Sequence, residues 1–362
     1  MFMMRCLRIV LCGLILLVVA FSSVAGAKEK VILDTDMVMM YDDGVAMTML
    51  AKHPNIELLG VTTVAGNTWI AEGTAYALRQ LELINRTDIP VAQGTRAPLR
   101  AGRQETIDLE QKMLGTSEYI GCFERPEPAS YLDVYRKEFG GDPKMKPIDK
   151  HAVNFIIDTV KANPHEVTIA AIGPCTNLAL AIRVAPEIVP LVKKVVYMGG
   201  SFDIRGNTTP AAEFNWGFDP EAAKMSVRAP FAEQLIVGLD VCEKYFFNKA
   251  IFDRIVAVEN PITKVFKETY GPEFEKDAKF TRLVWDTLAV ASVIDPTLDT
   301  QIEERWVDVD AEYTLDYGRS LGYKTRGWSG ELKGPAGTQK ARILFTIDEP
   351  RFWNLMVDLL TK

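Results

Sequence analysis

The chain has 362 residues, a net charge of −7 at pH 7 and a hydrophobic content of 48%. This length allows one large α/β domain or two domains, and the acidic balance argues against nonspecific binding to nucleic acid. No linker, repeat or low-complexity tract divides residues 28–362, so we predict a single domain there.

The first 27 residues have the organisation of a secretory signal peptide. Arg5 and Arg8 precede an apolar stretch over residues 9–21, and Ala25-Gly26-Ala27 forms a small-residue cleavage signal. The apolar stretch is short for a membrane span, although an uncleaved anchor is the alternative. We predict cleavage after Ala27, a periplasmic or secreted location and no stable membrane anchor. Because cleavage removes two arginines and no acidic residue, the net charge becomes −9.

Apolar runs rich in β-branched residues recur along the chain, each followed by helical periodicity. They cover residues 31–33, 56–64, 167–172, 194–198 and 235–239. This alternation predicts βαβ units around a mainly parallel central sheet flanked by helices. Residues 100–147 are polar, rich in Gly and Pro and without a clear period, which indicates a long excursion of the kind that often forms a lid. Short strands are expected after residue 306, and a closing amphipathic helix over residues 351–360.

Four aspartates lie where the first predicted strand gives way to a helix. Asp34 and Asp36 follow the strand, and Asp42 and Asp43 open the helical stretch. In an open α/β sheet this junction is where ligands bind. One acid is explained by helix capping, but four crowded carboxylates need shared protons or a cation, and a hard metal with oxygen ligands is the natural partner.

Small polar clusters follow the other predicted strands at the same edge of the sheet. Each has an ordinary interpretation as a turn or a helix cap, but their joint placement predicts one site. The clusters are Thr62-Thr63-Val64-Ala65-Gly66-Asn67, Gly173-Pro174-Cys175-Thr176-Asn177, Gly199-Gly200, Gly206-Asn207, Ala212-Glu213-Phe214-Asn215 and Trp285-Asp286. Amides and carboxylates suit a ligand dense in hydroxyl groups, such as a sugar beside a cation. No Gly-x-x-x-x-Gly-Lys loop or basic cluster is present to bind phosphate.

These motifs, in this order, resemble the inosine-uridine preferring nucleoside hydrolases, calcium-dependent ribonucleoside N-ribohydrolases with a Rossmann-like fold. The resemblance also includes Asp219-Pro220-Glu221-Ala222-Ala223 and Val237-Gly238-Leu239-Asp240. It implies hydrolysis of the N-glycosidic bond of a nucleoside to base and ribose, and a homo-oligomer, since relatives form dimers or tetramers.

Carried over by position, the resemblance implies Ca²⁺ bound by the carboxylates of Asp36, Asp43 and Asp286 and by the main-chain carbonyl of Ile172. It implies that Asp36 takes a proton from a calcium-bound water. It further implies that the ribose hydroxyls are held by Asp42, Asn67, Asn207, Glu213 and Asn215.

The chain departs from the family pattern in three places. Six positions separate Asp36 from Asp42, two more than is usual, so we expect a rearranged turn with the carboxylates still converging. The alternative is that residues 37–41 line the pocket or a partner surface. Trp285 stands where pyrimidine-accepting relatives have a histidine that protonates the leaving base; a tryptophan there resembles the purine-preferring branch, in which it stacks on the base. The histidine- and glycine-containing loop usual after the third strand is unrecognisable between residues 100 and 128. The second stacking aromatic stays open among Tyr41, Trp69, Tyr119, Phe123, Trp216 and Trp328.

Three other hypotheses remain. Asp34-Thr35-Asp36 also matches the nucleophile loop of haloacid-dehalogenase-type phosphatases, but that function leaves the asparagine motifs unexplained. The second hypothesis is an exported nucleoside-binding protein that has lost turnover. The third is a hydrolase of another ribosyl conjugate. Three cysteines outside the signal peptide, Cys122, Cys175 and Cys242, form no zinc or disulfide framework, although one disulfide is possible.

Overall fold

The computed structural model describes residues 27–40, 42–114, 119–324 and 334–362. The predicted signal peptide therefore lies outside the described residues, apart from Ala27. No described helix has the length and apolar character needed to cross a membrane. The three cysteines are buried free thiols, so the possible disulfide is not formed.

The described residues contain eleven strands. They are β1 (Glu29–Thr35), β2 (Ile56–Thr63), β3 (Val91–Gln93), β4 (Val167–Ala171), β5 (Lys194–Met198), β6 (Gln234–Val237), β7 (Phe246–Phe247), β8 (Arg282–Leu283), β9 (Asp299–Val309), β10 (Ser320–Tyr323) and β11 (Gln339–Ile347). Nine of them form one sheet in the order β10-β9-β11-β6-β5-β4-β1-β2-β3, and β7 pairs with β8.

The sheet is parallel from β11 through β6, β5, β4, β1 and β2 to β3, and only β9 pairs antiparallel with its neighbours. After β1 the chain adds β2 and β3 on one side, then returns to place β4, β5 and β6 on the other. The order therefore reverses between β1 and β4. Ligands bind at such a switch point, outside the carboxyl ends of the strands.

Thirteen α-helices occur in the described residues. They are α1 (Asp42–Lys52), α2 (Ile70–Leu83), α3 (Arg103–Leu114), α4 (Tyr131–Phe139), α5 (Ala152–Ala162), α6 (Thr176–Val184), α7 (Phe214–Phe218), α8 (Pro220–Val227), α9 (Leu239–Cys242), α10 (Lys249–Val256), α11 (Pro261–Lys276), α12 (Asp286–Ile294) and α13 (Glu349–Thr361).

Helices cover both faces of the sheet. Val31 and Leu33 of β1 face a core built with α1, α12 and α13, whereas Ile32 between them faces a second core built with α5, α6 and α8. Successive strand residues point to opposite faces, so a parallel strand buried on both sides is apolar at every position. The predicted fold class, a mainly parallel α/β sheet flanked by helices, is confirmed.

Residues 100–147 differ from the sequence-based expectation, because they contain α3 and α4 and a 3₁₀ helix at Gly121–Glu124. Only three residues of α3 are buried, Arg103, Ile107 and Glu110. Two of these are charged and pair with each other at 2.8 Å. A helix held this way has little apolar periodicity to reveal it.

Candidate active site

The predicted polar motifs meet at the carboxyl edge of the sheet around a pocket of about 320 Å³. Eight of the ten predicted site residues line it: Asp42, Asp43, Asn67, Asn207, Glu213, Asn215, Trp285 and Asp286. The other two, Asp36 and Ile172, lie directly behind this lining, hydrogen-bonded to Asn67 and Asn215.

Asp36 is fully buried just beyond β1. Its Oδ2 accepts a 2.6 Å hydrogen bond from the Asn67 backbone N–H. A Cβ on Gly66 would lie 2.2 Å from the same oxygen, so the loop after β2 needs glycine there to approach the carboxylate. No described residue donates a hydrogen bond to the buried Oδ1. One oxygen is thus anchored and the other is left for a ligand.

Asp43 and Asp286 complete a buried acidic cluster with Asp36. Asp43 Oδ1 accepts from Thr35 Oγ1 at 2.5 Å, whereas no described residue donates to its buried Oδ2. Burial raises the pKa of Asp36 well above its ordinary value, and the charge of Asp43 adds to this rise. Burial likewise raises the pKa of Asp286, with contributions from Asp42 and Asp43. Such a cluster must hold protons or a cation.

Asp42 caps a helix, but a different helix from the one it begins. Its Oδ2 accepts from the backbone N–H groups of Trp285 and Asp286, both at 2.7 Å, and its Oδ1 accepts from Thr287 at 3.2 Å. These are the first N–H groups of α12, 243 residues further along the chain. Burial still raises the pKa of Asp42 to about 7, against the lowering effect of the three N–H groups. Asp42 therefore fixes the helix end that carries Trp285 and Asp286.

Glu213 and Asn215 tie the loop before α7 to two strand ends. Glu213 accepts from the backbone N–H groups of Asn215 at 2.8 Å, Gly200 at 2.9 Å and Trp216 at 3.1 Å. Burial raises its pKa to about 7. Asn215 Nδ2 donates to the carbonyls of Ile172 and Met198, each at 3.0 Å, and no described residue donates to its buried Oδ1. The amide thus bridges the ends of β4 and β5 while its oxygen stays available.

Three aromatic residues belong to the pocket lining. Trp285, Tyr119 and Phe214 line it, and Phe214 N–H donates to Asn207 Oδ1 at 2.8 Å. Among the other open candidates for a second stacking partner, Trp216 is fully buried and Trp69 and Phe123 pack in a separate cluster. Tyr41 and Trp328 lie outside the described residues. Tyr119 is the described candidate that reaches the pocket.

The rearranged turn after Asp36 folds inward. Met37 and Met40 are fully buried, and Gln80 Nε2 donates to Met40 Sδ at 2.8 Å and to the Gly44 carbonyl at 3.1 Å. Val38 alone of these residues lines the pocket. The additional loop residues therefore extend the core.

Three lining residues were not predicted: Met198, Phe214 and Arg282. Met198 directly precedes Gly199-Gly200, and Phe214 lies between the polar residues Glu213 and Asn215. Arg282, in β8, is the one basic residue among the described lining residues. The one feature of the sequence that could have identified Arg282 as a lining residue is its position three residues before Trp285.

Among the described residues, no group of three or more acidic, histidine or cysteine side chains is arranged as a metal site. The acidic cluster is therefore less convergent than a closed coordination shell. Its donors are nevertheless all oxygen, as a hard cation requires.

The family model described as inosine-uridine preferring nucleoside hydrolase matches residues 31–354. The chain belongs to this family. It is therefore an enzyme, an N-glycosyl hydrolase acting on ribonucleosides.

The hydrolase is similar to one family member compared by sequence and to two solved structures. The pyrimidine-specific ribonucleoside hydrolase RihB of Escherichia coli (strain SMS-3-5 / SECEC) is 31% identical over 339 residues, covering 91% of this chain and 96% of RihB. Among solved structures, the plant nucleoside hydrolase PpNRh1 matches with a TM-score of 0.75 and 26% identity, over 92% of this chain and 99% of that one. The purine-preferring ribonucleoside hydrolase from Gardnerella vaginalis matches with a TM-score of 0.69 and 26% identity, over 92% and 98%.

Proposed function

We propose that this hydrolase is an exported, calcium-dependent scavenger that splits purine ribonucleosides in preference to pyrimidine ones. The observation that carries the proposal is the composition of the pocket lining, which combines carboxylates and amides with the ring of Trp285. A volume of about 320 Å³ falls in the range of small-molecule sites.

Ribose is held by the polar side chains of the pocket lining. Asn67, Asn207, Glu213 and Asn215 offer amide and carboxylate groups to its hydroxyls, as the family resemblance implies. Asp42 joins them although its oxygens cap α12, because a carboxylate oxygen has a second lone pair that can accept from a hydroxyl.

Calcium is assigned to Asp36, Asp43, Asp286 and the Ile172 carbonyl. In favour are the all-oxygen donor set and the two buried carboxylate oxygens, Asp36 Oδ1 and Asp43 Oδ2, that receive no hydrogen bond from described residues. Leaving buried charged oxygens unpaired is costly, so a bound cation would stabilise the folded chain. When bound, calcium lowers the pKa of a coordinated water and orients it.

Asp36 is the base. Its carboxylate accepts the proton of the attacking water, whose oxygen forms a bond to the anomeric carbon while the N-glycosidic bond breaks. The electron pair of that bond leaves with the nucleobase. The departing nucleobase takes a proton from solvent, since none of the described lining residues is a histidine. The carboxylates around the sugar stabilise the positive charge that develops on the ring.

The preference for purines rests on Trp285. A tryptophan that lines the pocket directly before Asp286 offers a large ring for stacking on a purine. The two relatives point in different directions, because RihB is named pyrimidine-specific and the Gardnerella enzyme purine-preferring. We favour purines because Trp285 cannot act as the histidine acid does toward a pyrimidine.

The test is release of reducing sugar from inosine, adenosine, guanosine, uridine and cytidine, with calcium and after chelation. We expect calcium-dependent turnover in which kcat/KM for purine nucleosides exceeds that for uridine. Faster turnover of uridine than of every purine would reject the preference. Undiminished turnover after exhaustive chelation would reject calcium. No turnover by a calcium-stabilised protein would favour a binding protein.

Export and assembly complete the proposal. Amino-terminal sequencing of protein recovered outside the cytoplasm should begin at Lys28, and light scattering should show a dimer or tetramer. An unprocessed amino terminus or a monomer would reject the respective part.

A further inference from the structure

Tyr119 connects two segments around the pocket that lie far apart in the sequence, one at Asn67 and the other at residues 208–214. Its Oη donates to Asn67 Oδ1 at 2.9 Å, and its carbonyl accepts from Thr208 Oγ1 at 2.7 Å. Its ring lies 4.9 Å from that of Phe214, tilted by 50°. One residue thus joins the loop after β2 to the loop that carries Asn207 and to the ring of Phe214.

The hydrogen bond to Asn67 decides which edge of that amide is available. The Asn67 backbone is already fixed at both ends, because its N–H donates to Asp36 Oδ2 at 2.6 Å and its carbonyl accepts from Arg125 at 3.0 Å. Only the side-chain torsions remain to be set. Burial raises the pKa of the Tyr119 phenol above its ordinary value, so the phenol keeps its proton and acts as a donor. A donor must face the amide oxygen rather than the amide nitrogen.

We propose that Tyr119 is a positioning residue that orients the Asn67 amide so that its Nδ2 hydrogens, and not its oxygen, meet the substrate. The group they meet is a ribose hydroxyl acting as acceptor, so this inference rests on the proposed function. A hydroxyl that accepts from Asn67 keeps its own proton for one of the pocket carboxylates. A sugar lacking that hydroxyl gains nothing from the orientation.

The variant that isolates this bond is Tyr119→Phe, which keeps the ring against Phe214. We expect KM for inosine to rise about threefold to tenfold, the worth of one hydrogen bond, while kcat changes less than twofold. The matched control is Tyr313→Phe, which also removes a phenol hydrogen bond, to the Thr106 carbonyl at 3.2 Å, but does not line the pocket. This control should leave both constants unchanged.

Deoxynucleosides then separate orientation from general damage. Inhibition constants of 2′-deoxyinosine and 3′-deoxyinosine are measured for wild type and Tyr119→Phe. The analogue lacking the hydroxyl that Asn67 contacts should bind both proteins equally, whereas the other should bind the variant about threefold to tenfold more weakly. An unchanged KM for inosine, or equal weakening of inosine and both analogues, would overturn the inference.

Failure of the proposed function would be visible separately. If wild type hydrolyses none of the nucleosides, titration calorimetry with inosine and the two analogues makes the same comparison through dissociation constants. Equal affinity of wild type and Tyr119→Phe for all three would again overturn the role of Tyr119.

Discussion

Removing the Asp42 side chain should destabilise the protein more than an ordinary helix cap does. Asp42→Ala leaves three N–H groups of α12 without their acceptor, and the side chain is only 6% exposed, so water replaces it poorly. A lost cap costs about 1 kcal/mol and a buried unsatisfied donor about 1–3 kcal/mol. Relief of repulsion among the acids offsets part of this loss. We expect a net loss of about 3 kcal/mol in the free energy of unfolding.

The assay is urea unfolding of chelated protein, with two comparison variants. Asp42→Asn can keep one oxygen where Oδ2 accepts two of the N–H groups, so it should lose about 1 kcal/mol. Asp348→Ala removes the exposed cap of α13, which accepts from Arg351 N–H at 3.2 Å, and should lose about 1 kcal/mol or less. A loss for Asp42→Ala no larger than for Asp348→Ala would refute the reasoning.

Three further outcomes are expected. Asp36→Asn should lower kcat at least about a hundredfold, as loss of a general base does, while calorimetry shows nearly unchanged affinity for inosine; equal loss of both would contradict the assignment. Trp285→Ala should raise KM for inosine about fivefold more than KM for uridine, since the stacking energy is larger for a purine; an equal rise would remove the basis for purine preference. In chelated protein, stability should fall as pH rises from about 4.5 to about 7, because burial raises the pKa of Glu213 from 4.5 to about 7 and that of Asp219 from 3.8 to about 6. Between these values the folded chain holds protons that the unfolded chain releases, so raising pH favours unfolding, by on the order of 3 kcal/mol for Glu213. A urea midpoint that rises over this range would show the opposite linkage.

The architecture was predictable because most of its long strands have a recognisable sequence pattern. β1, β2, β4, β5 and β6 each contain a run of apolar residues, and polar motifs follow them, so the sheet and the edge at which those motifs meet could be predicted from the sequence. The three-residue β3 and the two-residue β7 and β8 are too short to show a period.

The contacts within the site were harder to predict, because they join distant residues through the backbone. The sequence indicated that one of the acids, Asp42 or Asp43, caps a helix, yet nothing in it indicates that the helix capped by Asp42 is α12 rather than α1. Six aromatic residues were equivalent as second stacking partners until the fold brought Tyr119 to Asn67, 52 residues away. Sequence patterns thus gave the chemical groups of the pocket, and the tertiary fold determined which edge of each group is free.

The two outermost strands of the sheet, β3 and β10, are only three and four residues long. An exposed edge strand is a template on which another chain can add by backbone pairing, the route by which β-proteins aggregate. Strands this short offer few unpaired N–H and carbonyl groups of their own for such growth. Neither strand is therefore a long template for open-ended pairing between copies of this hydrolase.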